Sequence, residues 1–250
     1  MCPSAWLFVL PFVVTLSLAQ LSLAQASLSK AHSQTLVKTS ETRVDPCYRK
    51  LSSTDKLSAY SISIVPHSST FLTPHPNDYL VIALCPIEVD ATGRSGNSYQ
   101  LRLAEDEMQV MKGGWPHRLT NLADATARLV EIDVRNNIAP ERALCGLAAS
   151  PCTDGQFGKS EEGTYTRSTL FETPKVKLTK VELGPGGILE RHGHSGSELL
   201  IALTAIHLTD GTGNAIERDL GETQAYPAGT SHQIQNVGSE TARFLELELK

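Results

Sequence analysis

The chain repeats itself, and the repeat limits what it can fold into. The run from Tyr79, YLVIALCPIEVDATG, returns from Glu198 as ELLIALTAIHLTDGTG; ATARLVEIDV, ending at Val134, returns as ETARFLELEL, ending at Leu249. His75 corresponds to His194, an offset of 194 − 75 = 119, and His117 to His232, an offset of 232 − 117 = 115. The first copy therefore carries 119 − 115 = 4 extra residues, most simply placed in a hairpin around Asp90 to Asn97. Self-similarity of this kind means one supersecondary unit built twice. That unit is made of strands. The stretches Leu57 to Val65, Tyr79 to Val89, Ala127 to Val134, Val176 to Leu183, Leu199 to Leu208 and Ala242 to Leu249 are short apolar or alternating runs, several of them separated by Gly and Pro. Long helical periodicity is absent, and a helical turn is expected only within Asn121 to Val130. At 250 residues the chain has room for two small domains, each with its own core.

The second copy concentrates the chemistry. It reads Gly186, five residues, His192, Gly193, His194, three residues, Glu198; then Gly221, five residues, Pro227, Ala228, Gly229, two residues, His232, three residues, Asn236. Gly184 to Gly187 is a turn signal, so a strand is expected to restart at Ile188. Alternate residues of a strand share a face, which would aim His192, His194 and Glu198 the same way. A second turn at Tyr226-Pro227-Ala228-Gly229 would deliver His232 onto another strand. If those strands face each other across a barrel, three imidazoles and one carboxylate converge. Such a set suits a divalent transition metal, Mn or Fe first, with Ni, Co or Zn as alternatives. Four protein donors on an octahedral ion would leave two adjacent positions for water, dioxygen or a chelating substrate. Arg191, Gln224 and Tyr226 flank this set and are candidates for touching substrate. His207 has the opposite parity to Glu198 and should face outward.

These two spaced motifs resemble the paired motifs of the cupin family, and every fixed position of the second is filled. The resemblance implies an all-β chain of two tandem jelly-roll-like barrels, a way of closing sheet edges. It also implies a structural role for Asn236. In the first copy Thr73 stands where His192 stands and Tyr79 replaces Glu198, while His75, His117, Gly114 and Asn121 remain. Two imidazoles without the other pair make a poor metal site, the alternative being a weak one completed by Tyr79 or water. The expected organisation is a signal peptide over 1–26, a flexible lead-in over 27–46, a degenerate cupin over 47–135, a linker over 136–162 and a metal-binding cupin over 163–250.

The signal rests on the apolar stretch Trp6 to Leu18 and a small-x-small site at Ala24-Gln25-Ala26, although no Lys or Arg precedes Lys30. Export to a secreted or periplasmic location is expected, with no membrane attachment after cleavage; an uncleaved membrane anchor is the competing reading, disfavoured because the apolar stretch is short and interrupted by Pro11. Cysteine usage agrees. Loss of Cys2 leaves Cys47, Cys85, Cys145 and Cys152, of which Cys145 and Cys152 bracket a small-residue loop and are the expected disulfide; Cys85 reads equally well as a buried thiol. Trp115, beside a Gly-Gly turn, is expected to be a packing aromatic. A net charge of −5 without a basic cluster argues against nucleic acid. The partner is expected to be a small molecule, and a homo-oligomer is compatible.

Fold alone does not choose a reaction. The leading expectation is a metal-dependent enzyme, an oxidoreductase or lyase, that oxidises or cleaves a small oxygen-rich molecule. The alternatives are a non-catalytic cupin that binds a ligand or uses metal for stiffness, and a sugar isomerase or epimerase.

Overall fold

A computed structural model describes residues 45–135, 137–159 and 163–250. The expected signal peptide and the lead-in up to residue 44 lie outside the described residues. The remainder forms one compact unit.

The first repeat folds as β1 (Tyr48–Ser53), β2 (Leu57–Ile64), β3 (Tyr79–Ala83), β4 (Ile87–Gly93), β5 (Ser98–Leu103), β6 (Met108–Met111), β7 (His117–Asn121) and β8 (Ala127–Val134). The second folds as β10 (Thr164–Glu172), β11 (Val176–Leu183), β12 (Ile188–Gly193), β13 (Ser197–Ala202), β14 (Ile206–Asp210), β15 (Ala215–Arg218), β16 (Thr223–Tyr226), β17 (Ser231–Asn236) and β18 (Ala242–Leu249), with β9 (Gln156–Lys159) added at an edge. Each barrel is two facing antiparallel sheets. In the first they run β1-β2-β8-β3-β6 and β5-β4-β7; in the second, β16-β13-β18-β11-β10-β9 and β12-β17-β14-β15.

The continuous apolar runs have a physical cause. All five residues of β3 are buried because the strand has apolar neighbours on both faces. Val81 points into the first barrel, while Leu80 and Ile82 pack against Leu199, Ile201 and Leu247 of the second. The large sheets of the two barrels thus share one core, and each barrel keeps its own interior.

Two expectations are corrected here. The runs Tyr79 to Val89 and Leu199 to Leu208 are each two strands, broken around Leu84–Pro86 and Leu203–Ala205. The chain turns a corner at each break and passes into the opposite sheet of its barrel. Leu84 and Leu203 are buried at these corners, so the hydrophobic pattern carries no mark of the bend. Nor does Asn121 to Val130 hold a helical turn. It is a bend, stapled by Asn121, whose Nδ2 donates to Ile64 O (2.9 Å) and Ala125 O (2.8 Å). The helix among the described residues is a single 3-10 turn at Pro140–Arg142, and no helix there is long and apolar enough to cross a membrane.

The extra residues of the first copy lie where the offset places them. The β4–β5 ladder has six pairs, Ile87 to Thr92, and the β14–β15 ladder four, Ile206 to Thr209, a difference of two pairs or four residues. Cys145 and Cys152 are disulfide-bonded with Cα atoms 4.9 Å apart. Cys85 is a free, half-buried thiol.

Candidate metal centre

The second barrel brings His192, His194, Glu198 and His232 together. Strand β12 pairs with β17 so that His192 lies directly opposite His232, beyond a register shift between Leu189 and His192. His194 follows the end of β12 and is pinned by backbone bonds, its N–H to Thr230 O (3.1 Å) and Gly229 N–H to its carbonyl (2.9 Å). Glu198 arrives differently from the parity expectation. It lies on β13, in the opposite sheet, where it pairs with Tyr226 and Glu248. The chain crosses between sheets at Gly196, where a Cβ would meet Leu249 O at 1.6 Å. The four side chains converge from two sheets, not along one strand face.

Their donor atoms crowd one centre. His232 Nε2 is 3.1 Å from His192 Nε2 and 3.2 Å from His194 Nε2. Glu198 Oε2 is 2.8 Å from His194 Nε2 and 3.7 Å from His232 Nε2. Donors about 2.1 Å from one octahedral ion would stand about 3 Å apart when adjacent and about 4 Å when opposite. His192 Nδ1 donates to Glu190 O (2.9 Å), which leaves its Nε2 lone pair aimed at the centre. Glu198 Oε1 is buried with no hydrogen-bond partner. Lone pairs turned on one another without a donor suit a cation, so the set fits a metal.

The electrostatics are uneven. Burial and the neighbouring His192 push His232 down to about 4, which keeps it neutral and ligating. Burial also works against a proton on His194, yet Glu198 outweighs it and raises that imidazole. Burial raises Glu198 itself.

Sequence reasoning missed Glu246 and Arg167. Glu246 is 2% exposed on β18, and its Oε1 lies 3.6 Å from His192 Nε2. Arg167 on β10 donates to Glu246 Oε2 through Nε (3.3 Å) and Nη2 (3.1 Å). Burial opposes ionisation of Glu246, but His192 and Arg167 prevail and lower it. The signal was available: an acid inside an apolar run, on the same strand parity as the inward Phe244.

The flanking residues separate. Tyr226 packs edge-on against His232 with ring centroids 4.7 Å apart, and its buried hydroxyl has no partner. Burial, then Glu198, raises its phenol, so it stays protonated. Gln224 is taken by Arg218. Arg191 is exposed and lies over Gly211. His207 is exposed, as its parity predicted. Asn236 is structural: its Nδ2 donates to Leu183 O, Gly184 O and Glu240 O at 2.9, 3.1 and 2.8 Å.

In the first barrel the corresponding positions hold a hydrogen-bonded cluster. His117 Nδ1 donates to Trp115 O (3.2 Å), so its Nε2 accepts from the Tyr79 hydroxyl (2.8 Å). His75 stacks between Tyr79 and His117, each centroid 4.4 Å away, and its Nδ1 is 3.4 Å from Glu131 Oε1. Burial lowers His75 to about 3 and raises Glu131 to about 8, so both are neutral and the carboxyl keeps its proton. Trp115 packs on His117 with centroids 4.4 Å apart, in the packing role expected for it.

No protein-family model matches the chain. It is 32% identical over 109 residues to germin-like protein 3-7 of Oryza sativa subsp. japonica, covering 41% of this chain and 47% of that protein. The match thus spans about half the length of that curated relative. Among solved structures, a variant of oxalate decarboxylase from Bacillus subtilis superposes with a TM-score of 0.54 at 15% identity, over 77% of this chain and 68% of that one. AerE from Microcystis aeruginosa gives 0.54 at 10% identity, over 82% of this chain and 98% of that one. Oxalate decarboxylase from Lactobacillus farciminis, in a formate complex, gives 0.54 at 15% identity over 77% and 76%. At such identities the superpositions show the fold alone, and the spaced motifs and the germin-like match are similar to those of the cupin superfamily.

Proposed function

We propose that this chain is an exported, metal-dependent cupin enzyme that oxidises, or cleaves a carbon–carbon bond of, a small oxygen-rich molecule. One observation carries the reading: three imidazole nitrogens and a buried carboxylate meet within 2.8–3.7 Å with no protein donor to satisfy Glu198 Oε1. His192, His194, Glu198 and His232 would hold a divalent ion, with Mn the first choice because Mn(II) centres are described in the B. subtilis oxalate decarboxylase of the same fold. A bound ion of this kind polarises a carboxylate or carbonyl oxygen and carries one-electron chemistry.

The chain's own groups prepare that site. Glu190 O fixes the ring of His192. Leu189, Leu200 and Ile234 form part of the apolar interior that limits water. The Tyr226 phenol, protonated and unpartnered, is placed to donate a hydrogen bond to a substrate oxygen. Small carboxylic acids are the first substrates to test, since the structural relatives include oxalate decarboxylases, one of them holding formate.

The test is elemental analysis of the purified protein, followed by oxygen uptake and carbon dioxide release with small acids, diols and phenolics. One divalent ion per chain and turnover of one class are expected. A metal-free protein, or a metal-loaded one inert to all three classes, would overturn the proposal.

A further inference from the structure

We infer that Glu246 is a fifth protein ligand of the ion, held in place by Arg167. The inference rests on the metal reading above and sharpens it. Glu246 has divided oxygens. Oε2 accepts both nitrogens of Arg167, at 3.3 and 3.1 Å, whereas Oε1 is buried with no hydrogen-bond partner and turns toward His192 Nε2 at 3.6 Å. Donor atoms of Glu198, His232 and Glu246 all lie within 4.8 Å of one another, as do those of His192, His194 and His232. His232 belongs to both groups, which sets Glu246 beside the histidines. A buried carboxylate oxygen without a donor is costly, and an ion at that centre would satisfy it.

The first barrel supports a specific role for Arg167. Glu131 corresponds to Glu246, 246 − 131 = 115, and Tyr48 to Arg167, 167 − 48 = 119, the same two offsets that relate the histidines. The ladders agree: Tyr48 pairs with Ile62 and Arg167 with Val181, while Glu131 pairs with Tyr60 and Val81, and Glu246 with Thr179 and Leu200. Where the ligands are missing, the acid meets neutral groups, the Tyr48 phenol 3.4 Å from Oε2 and the His75 imidazole 3.4 Å from Oε1. Where they are present, it has a two-nitrogen guanidinium clamp, which keeps a carboxylate charged and aimed.

The consequence concerns substrate. Five protein donors would leave one octahedral position open instead of two, so substrate would bind through a single oxygen, and neither a chelating substrate nor dioxygen beside a bound substrate could be held. Water-proton relaxation of the Mn(II)-loaded full chain counts the exchanging waters on the metal. One water is expected for the natural protein and two for Glu246→Gln, raising relaxivity per bound Mn by about twofold on a six-coordinate ion. Equal relaxivity in the two loaded proteins would overturn the inference. If Glu246→Gln does not load, the natural protein decides alone: one water upholds the fifth ligand and two remove it. A natural protein that binds no ion would overturn the metal reading, and this inference with it; an ion carrying two waters would overturn the fifth ligand only.

Discussion

The two barrels place the same backbone positions around the same kind of interior, and they hold opposite chemistry. In the first, every imidazole interaction that the geometry shows is a bond between protein groups: His117 Nε2 is occupied by the Tyr79 hydroxyl, and His75 faces Glu131. In the second, the Nε2 atoms of His192, His194 and His232 face one another beside two carboxylates. Four exchanges separate them: Thr73 for His192, Tyr79 for Glu198, Tyr48 for Arg167, and Trp115 for Thr230 by the 115 offset. The first barrel ties His117 to Tyr79 and leaves the single atom His75 Nε2 of its histidines buried without a hydrogen-bond partner, whereas the second turns three imidazole Nε2 atoms on one another beside carboxylates. A ligand site is kept by withholding partners from buried donors, and it is lost when a neighbour supplies them.

The largest effect that could break this contrast is on metal content. His192→Ala or Glu198→Ala should lose the ion, with affinity falling by more than the roughly 10–100-fold typical of outer partners, while Thr73→Ala should keep it. Elemental analysis after dialysis reads the difference; full retention in His192→Ala would end the assignment. Next is the coupling of metal to folding. Mn(II) at about 100 times its dissociation constant should stabilise the natural protein by roughly 2.7 kcal/mol, seen as a rise in Tm that His192→Ala abolishes.

A smaller effect is expected in the first barrel. Tyr79→Phe strands His117 Nε2 in a buried site and should cost about 1–3 kcal/mol in denaturant unfolding, with metal content unchanged. A change in metal content there would mean the barrels are not chemically separate.

The smallest effects are on pH. Glu131 is held up to about 8, against an ordinary value of 4.5, so the folded state keeps a proton that the unfolded chain has lost. Its contribution is full below about 4.5 and is lost as pH rises toward 8. His75, lowered from 6.5 to about 3, acts oppositely, adding stability as pH rises from 3 to 6.5. Between 4.5 and 6.5 the two cancel, which leaves a fall in Tm from 6.5 to 8 that Glu131→Gln should flatten. In the second barrel Glu198 raises His194, so protons compete for that ligand before the pH reaches the ordinary imidazole value. Metal affinity should therefore weaken on acidification, as metal titrations at a series of pH values would read.

Sequence alone determined that the chain is all β and repeats itself, and it proposed His192, His194, Glu198 and His232 as one set. It did so because repeats, apolar runs and motif spacing are local or periodic properties, and burial stamps them on the chain. It also located the four-residue insertion and the Cys145–Cys152 bridge. Only the tertiary structure showed that the long apolar runs turn a corner at Leu84 and Leu203, because buried corners and buried strands share one hydrophobic pattern. It alone brought Glu198 in from the facing sheet across Gly196, where parity along a single strand loses its meaning. It also joined Arg167 to Glu246, 79 residues apart, because facing across a barrel is decided by sheet register and leaves no spacing in the chain.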